Sequence, residues 1–172
     1  MHADSRSQRS GAVPGTGITG IGCDVEQHRV IGDGLRASDG RWAVRVLAAE
    51  ELHRISSRPP RLWGGREVLE TAELWTAKEA VAKALGVEPG RPWRWSDVIV
   101  GPQGPGTGER HVRLVGTAAG AGDRGGIGRI SVRTGRSADR SWATAIATAA
   151  TVPAPPQQIH EHEQILGKGD HR

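Results

Sequence analysis

The stretch Glu73–Gly86, ELWTAKEAVAKALG, decides the fold class. At about 100° per residue it winds into an amphipathic helix with Leu74, Ala77, Val81, Ala84 and Leu85 along one side. Lys78 falls about 20° beyond Leu85 at the border of that apolar arc, where an ordinary surface helix could place another leucine. Glu79 and Lys83, four residues apart, are neighbours on a second face. As a plain ion pair they would contribute under about 0.5 kcal/mol. The alternative is that Lys-Glu-x-x-x-Lys equips the border of a core-facing helix for chemistry.

Working outward, the helix is expected from about Arg66 to Leu85, with Gly86 as its stop. RPPRLWGG breaks the chain at 58–65, and residues 41–57 carry a helical stripe at Trp42, Val46, Ala49, Leu52 and Ile55. GITGIGCDVEQ (17–27) reads as a strand in which Ile21, Cys23 and Val25 alternate with Gly22, Asp24 and Glu26; the apolar set is expected to enter the core. Further strands are expected over 95–102, 110–117, 127–134 and 141–149, with AGAGDRGG (119–126) as loop. Two central helices flanked by strands predict an α+β domain with a small, mostly antiparallel sheet.

The 172 residues suit one domain, expected over 18–152. Residues 1–17 and 153–172 are polar, Pro/Gly-rich and non-periodic, which predicts disordered tails. The net charge is +4, and the tails nearly cancel, so the positive charge belongs to the domain and favours an anionic partner. One cysteine, Cys23, excludes an internal disulfide and fits a reducing compartment. With no membrane-length apolar run and no signal-peptide core, the reading is cytoplasmic, without membrane contact. No nucleic-acid-binding module accompanies the basic charge, and the tail residues His160, His162 and His171 lack the spacing of a closed metal site. Six tryptophans supply all the aromatic bulk, most of it for packing.

Residues two apart on a strand share a face, so Asp24 and Glu26 point the same way. Paired carboxylates need a neutralising partner, either a divalent cation or a base such as Arg29 or Lys83. Adding Glu79 gives the few hard oxygens that Mg²⁺ takes while it keeps room for water and phosphate. Lys78 and Lys83 would stand nearby as phosphate-binding or proton-accepting groups. These are the parts that phosphoryl transfer needs.

GIGCDVE followed some fifty residues later by WTAKEAVAKALG resembles the 4′-phosphopantetheinyl transferase superfamily, and RWAVRVLAAEEL resembles the segment between its motifs. The resemblance implies that Asp24 and Glu79 are metal ligands and that Lys83 contacts phosphates or acts as base. Glu26 matches the D-x-E form, in which the second acid is a third ligand. Gly86 and the following VEPG match the turn that lets coenzyme A approach closely. The implied reaction is Mg²⁺-dependent transfer of phosphopantetheine from coenzyme A to a serine of an acidic acyl or peptidyl carrier protein, releasing 3′,5′-ADP. A positive patch near the first expected helix, over 41–57, would dock the carrier. A single module also implies a homo-oligomer, a trimer with sites between subunits. Two family features are missing: the arginine four residues before the KEA lysine is Leu74, and the Ser-His pair is replaced around Arg133 and Thr134. Arg133 or Arg136 would have to supply the lost charge towards coenzyme A. The alternative reading is a degenerate module that binds carrier proteins or assembles with a partner without catalysing transfer.

Overall fold

A computed structural model describes residues 17–87 and 92–150, so the predicted tails, Gly17 apart, lie outside the described residues. Five strands form one antiparallel sheet: β1 (Ile18–Gln27), β2 (Val98–Gln103), β3 (Glu109–Leu114), β4 (Ile127–Arg136) and β5 (Arg140–Ala149), in the order β1-β5-β4-β3-β2. The first and last strands pair along their length, which closes the domain. The helices are α1 (His28–Ala37), α2 (Arg41–Val46), α3 (Ala49–Ile55), α4 (Gly65–Ala84) and α5 (Gly116–Arg124). The α+β class and the antiparallel sheet are as the sequence predicts.

Small residues bring α4 down onto the sheet. On its inner face β5 presents Ala143, Ala145 and Ala147, all buried, and β1 presents Gly20 and Gly22. A Cβ at Gly22 would collide with the backbone carbonyl of Ala80, and one at Gly20 with that of Ala84. The helix answers with Ala77, Ala80, Val81 and Ala84. Close approach of two backbones is what glycine in a strand permits.

This packing corrects the expected facing of β1. Ile21 and Val25 are 60% and 59% exposed, and Cys23 is exposed too, because the glycine side takes the helix. Three local expectations also change. The stripe over 41–57 is two helices, broken where Leu47 and Ala48 adopt extended backbone. Residues 28–37 form a helix that the sequence reading passed over. The segment expected as loop over 119–126 lies largely in α5, which starts where Asp97 accepts the N–H and hydroxyl of Thr117.

A fully buried ion pair ties the parts together. Lys78 Nζ lies 2.8 Å from Glu51 Oε2 and donates to the carbonyls of Trp95 (3.0 Å) and Val98. Glu51 also accepts the N–H groups of Ala48 (2.7 Å) and Val100 (2.8 Å). One pair thus joins α3, α4 and the start of β2. Removing one member of a buried pair leaves the other charge uncompensated. Lys78→Met is therefore expected to lower the unfolding free energy by about 3–5 kcal/mol, read as a shift in the urea midpoint.

Candidate active site

Asp24 and Glu26 share the inner face of β1, as their spacing predicts, at positions paired with the buried Ala143 and Ser141 of β5. Glu79 and Lys83 come from the last two turns of α4. Lys83 Nζ donates to Asp24 Oδ1 at 2.7 Å and to the carbonyl of Cys23 at 3.2 Å. Asp24 is only 15% exposed at its side chain while Lys83 is half exposed, so the pair sits at the solvent edge of the sheet. The strand and helix edges therefore bring together three of the expected residues, Asp24, Glu79 and Lys83. Glu26 is close enough to act on Glu79 electrostatically, while its own Oε1 accepts the N–H of Gln27 at 2.8 Å.

The cluster is electrostatically frustrated. Burial raises the Glu79 carboxyl above its ordinary value, Asp24 and Glu26 raise it further, and Lys83 opposes them. The Lys83 ammonium is held above its ordinary value, first by its hydrogen bond to Asp24. Asp24 and Glu26 both act on Glu79, and Lys83 is the cation held between Asp24 and Glu79. Among the described residues no three His, Cys, Asp or Glu side chains stand where together they could hold a metal ion.

Lys78 departs from its expected role. It is 0% exposed and its ammonium is fully engaged by Glu51 and two carbonyls, so it supports the fold and offers nothing to a ligand. Arg133 is exposed on the outer face of β4, because Ile130, Val132 and Thr134 take the inner positions. It therefore does not join the acid cluster of its own chain. Gly86 has φ +62°, a left-handed turn with open space where a Cβ would stand. The rest of VEPG falls largely outside the described residues.

Two features escape the sequence reading. A cavity of about 330 Å³ is lined by Arg54, Arg66, Arg110 and Arg136 together with Glu70 and Glu73. Arg110 donates to Thr134 Oγ1 (3.1 Å), the carbonyl of Gly101 (3.2 Å) and Glu73 Oε2 (3.1 Å). Burial pushes its guanidinium below the ordinary value, and Glu73 opposes that. The signal was present: in RHVRL the inward alternation Arg110, Val112, Leu114 begins with a charge. The second feature is an apolar slot of about 250 Å³ between Glu26, Val30, Ile31, Gly34, Trp42 and Trp75.

The sequence model of the 4′-phosphopantetheinyl transferase superfamily matches residues 20–147. The chain belongs to that superfamily. A holo-[acyl-carrier-protein] synthase of Cupriavidus taiwanensis is 31% identical over 140 residues, covering 80% of this chain and 97% of that protein. One from Burkholderia ambifaria is 34% identical over 140 residues, covering 81% and 91%. Among solved structures, the holo-[acyl-carrier-protein] synthase of Neisseria meningitidis superposes with TM-score 0.63 at 25% identity, covering 76% of this chain and 98% of its own. The Helicobacter pylori synthase, solved in complex with coenzyme A, shares the fold at TM-score 0.58 and 19% identity, covering 74% and 98%. The chain is an enzyme of the holo-[acyl-carrier-protein] synthase type.

The strained carboxylate gives a pH test. Where the folded chain binds the Glu79 proton more tightly than the unfolded chain, stability falls as pH rises through the window above the ordinary glutamate value. Glu79→Gln is therefore expected to raise the melting temperature of the metal-free protein at neutral pH. The gain should vanish below the ordinary glutamate pKa, as scanning calorimetry across pH would record.

Proposed function

We propose that this enzyme transfers the phosphopantetheine group of coenzyme A to a carrier-protein serine with Mg²⁺. The observation that carries this is the convergence of Asp24 and Lys83 at 2.7 Å beside Glu79, on two elements fixed by backbone-tight packing. Asp24 and Glu79, with Glu26, would hold the cation, which when bound neutralises pyrophosphate charge as the leaving oxygen departs. Lys83, kept protonated by Asp24, meets the phosphates as a cation. The serine oxygen attacks the phosphorus bearing pantetheine, its bond to the adenylate side breaks to release 3′,5′-ADP, and the serine proton passes to water among the carboxylates. Related chains lend weight: the Helicobacter pylori synthase was solved with coenzyme A and that of Bacillus anthracis with CoA (3′,5′-ADP).

The arginine cavity supplies charge where the family arginine and Ser-His pair are missing. Leu74 lines it, and Thr134, at the altered Ser-His position, anchors Arg110. Arg136 lines it as well, which favours Arg136 over Arg133 for coenzyme phosphates. Among the described residues of one chain none of Asp24, Glu26, Glu79 and Lys83 lines the cavity. Glu73 and Glu79 are six residues apart and so face directions about 120° apart on α4. A neighbouring copy would bring its cavity to this cluster. The outer sheet face offers the contact: Ile21, Val25, Trp142 and Ile146 are all exposed there. Such a contiguous apolar surface marks an interface, and we assign it to a homotrimer. The exposed arginines Arg29, Arg36, Arg41 and Arg45 lie on α1 and α2, the helices that contribute Val30, Ile31, Gly34 and Trp42 to the slot, and suit an acidic carrier helix.

Two measurements test this reading. Intact mass of an apo carrier protein incubated with the chain, coenzyme A and Mg²⁺ should rise by one phosphopantetheine, and EDTA should prevent the rise. Glu79→Gln should cut the rate by more than about 100-fold, since even the outer partners of metal ligands are worth about 10- to 100-fold. Near-normal turnover would remove Glu79 from the site. Separately, Val25→Asp is expected to yield monomers in sedimentation and to lose transfer, whereas an active monomer would show that each chain holds a whole site.

A further inference from the structure

Glu73 is an unusual occupant of the cavity. Its side chain is 13% exposed, with Oε2 3.1 Å from Arg110 and Oε1 3.7 Å from Arg136. The second acid, Glu70, is taken by Arg66 at 2.9 Å on the rim, where Arg66 is 76% exposed. Three further arginines, Arg54, Arg110 and the half-exposed Arg136, line the cavity with one carboxylate, Glu73, a net charge of +2. Glu73 is not what holds Arg110 in place by itself, because Thr134 and the Gly101 carbonyl take two further donors of that guanidinium. Arg54 is likewise anchored independently, donating to the Val100 carbonyl at 2.7 Å. The carboxylate therefore acts chiefly through its charge.

We propose that Glu73 is a built-in counter-anion of the arginine cavity that weakens its hold on a nucleotide phosphate and so sets the release of the 3′,5′-ADP product. This rests on the coenzyme reading above. A phosphate dianion matches the net +2 of the cavity, but it must enter beside a fixed negative charge. Neutralising that charge leaves three arginines unopposed, and the cavity then retains the product. Glu73 touches the two guanidiniums and is a specificity-setting residue, not a catalytic one.

Calorimetric titration of the full chain with 3′,5′-ADP at low salt tests this. Glu73→Gln keeps an acceptor for Arg110 and should lower Kd about tenfold, the scale of one like charge removed from a partly shielded site. High salt should shrink the gain, and Glu70→Gln, on the rim, should change Kd less. In carrier modification, Glu73→Gln should show correspondingly stronger product inhibition. Glu73→Ala serves as the second variant and should also bind more tightly. Unchanged or weaker binding by both folded variants, with normal binding by the wild type, overturns the counter-anion role alone. A wild-type chain that does not bind 3′,5′-ADP overturns the coenzyme reading, and this proposal with it.

Discussion

The buried Glu51–Lys78 pair is the constraint on which the site depends. A lysine ammonium in a dry interior is costly unless its hydrogen bonds are satisfied. Here Glu51 and the Trp95 and Val98 carbonyls take them, while Glu51 also holds two backbone N–H groups. Burial lowers the Lys78 pKa and Glu51 raises it, the usual opposition in such a pair. Because consecutive helical residues differ by about 100° in direction, fixing Lys78 inward fixes Glu79 at the edge beside β1. The two adjacent charges thus have opposite fates: one is spent on the fold, and the other faces the carboxylates of β1.

The same helix needs a second constraint, its distance from the sheet. Gly20 and Gly22 under Ala84 and Ala80, and the alanines of β5, let α4 sit close enough for Lys83 to reach Asp24. Bulkier residues on β1 would push the helix outward, and the carboxylates of strand and helix would separate. Apolar residues of β1 then have only the outer face left. The exposed row of Ile21 and Val25, with Trp142 and Ile146 across the pair, is a consequence of the close inner packing.

Much of this was legible. Period-two spacing put Asp24 and Glu26 on one face, and the helical stripe placed Lys83 and Glu79 together. What misled was polarity taken as a guide to facing. In GIGCDVE alternation alone points the larger apolar residues to the core, but shape decides, since only glycine fits under α4. Lys78 looked functional because a charge on an apolar arc is unusual, yet its partner Glu51 lies 27 positions earlier, beyond any local pattern. The helical stripe over 41–57 concealed a break, because Leu47 and Ala48 are apolar and buried although their backbone is extended. The arginine cavity draws on α3, α4, β2, β3 and β4 at once, so no window of sequence displays it.

The departures from the family pattern acquire a physical sense in that cavity. With Leu74 and Thr134 at the two altered positions, the chain has lost a guanidinium from the helix and an imidazole from the strand. Arg110 reaches from β3 to donate to Thr134, so the smaller hydroxyl became an anchor for a longer cationic side chain. A guanidinium stays charged where an imidazole titrates near neutrality, and three of them facing a phosphate would bind it strongly. A carboxylate placed among them would be a counterweight, because a product held too tightly makes its release limit turnover. Glu73, held between Arg110 and Arg136, stands where that counterweight is needed.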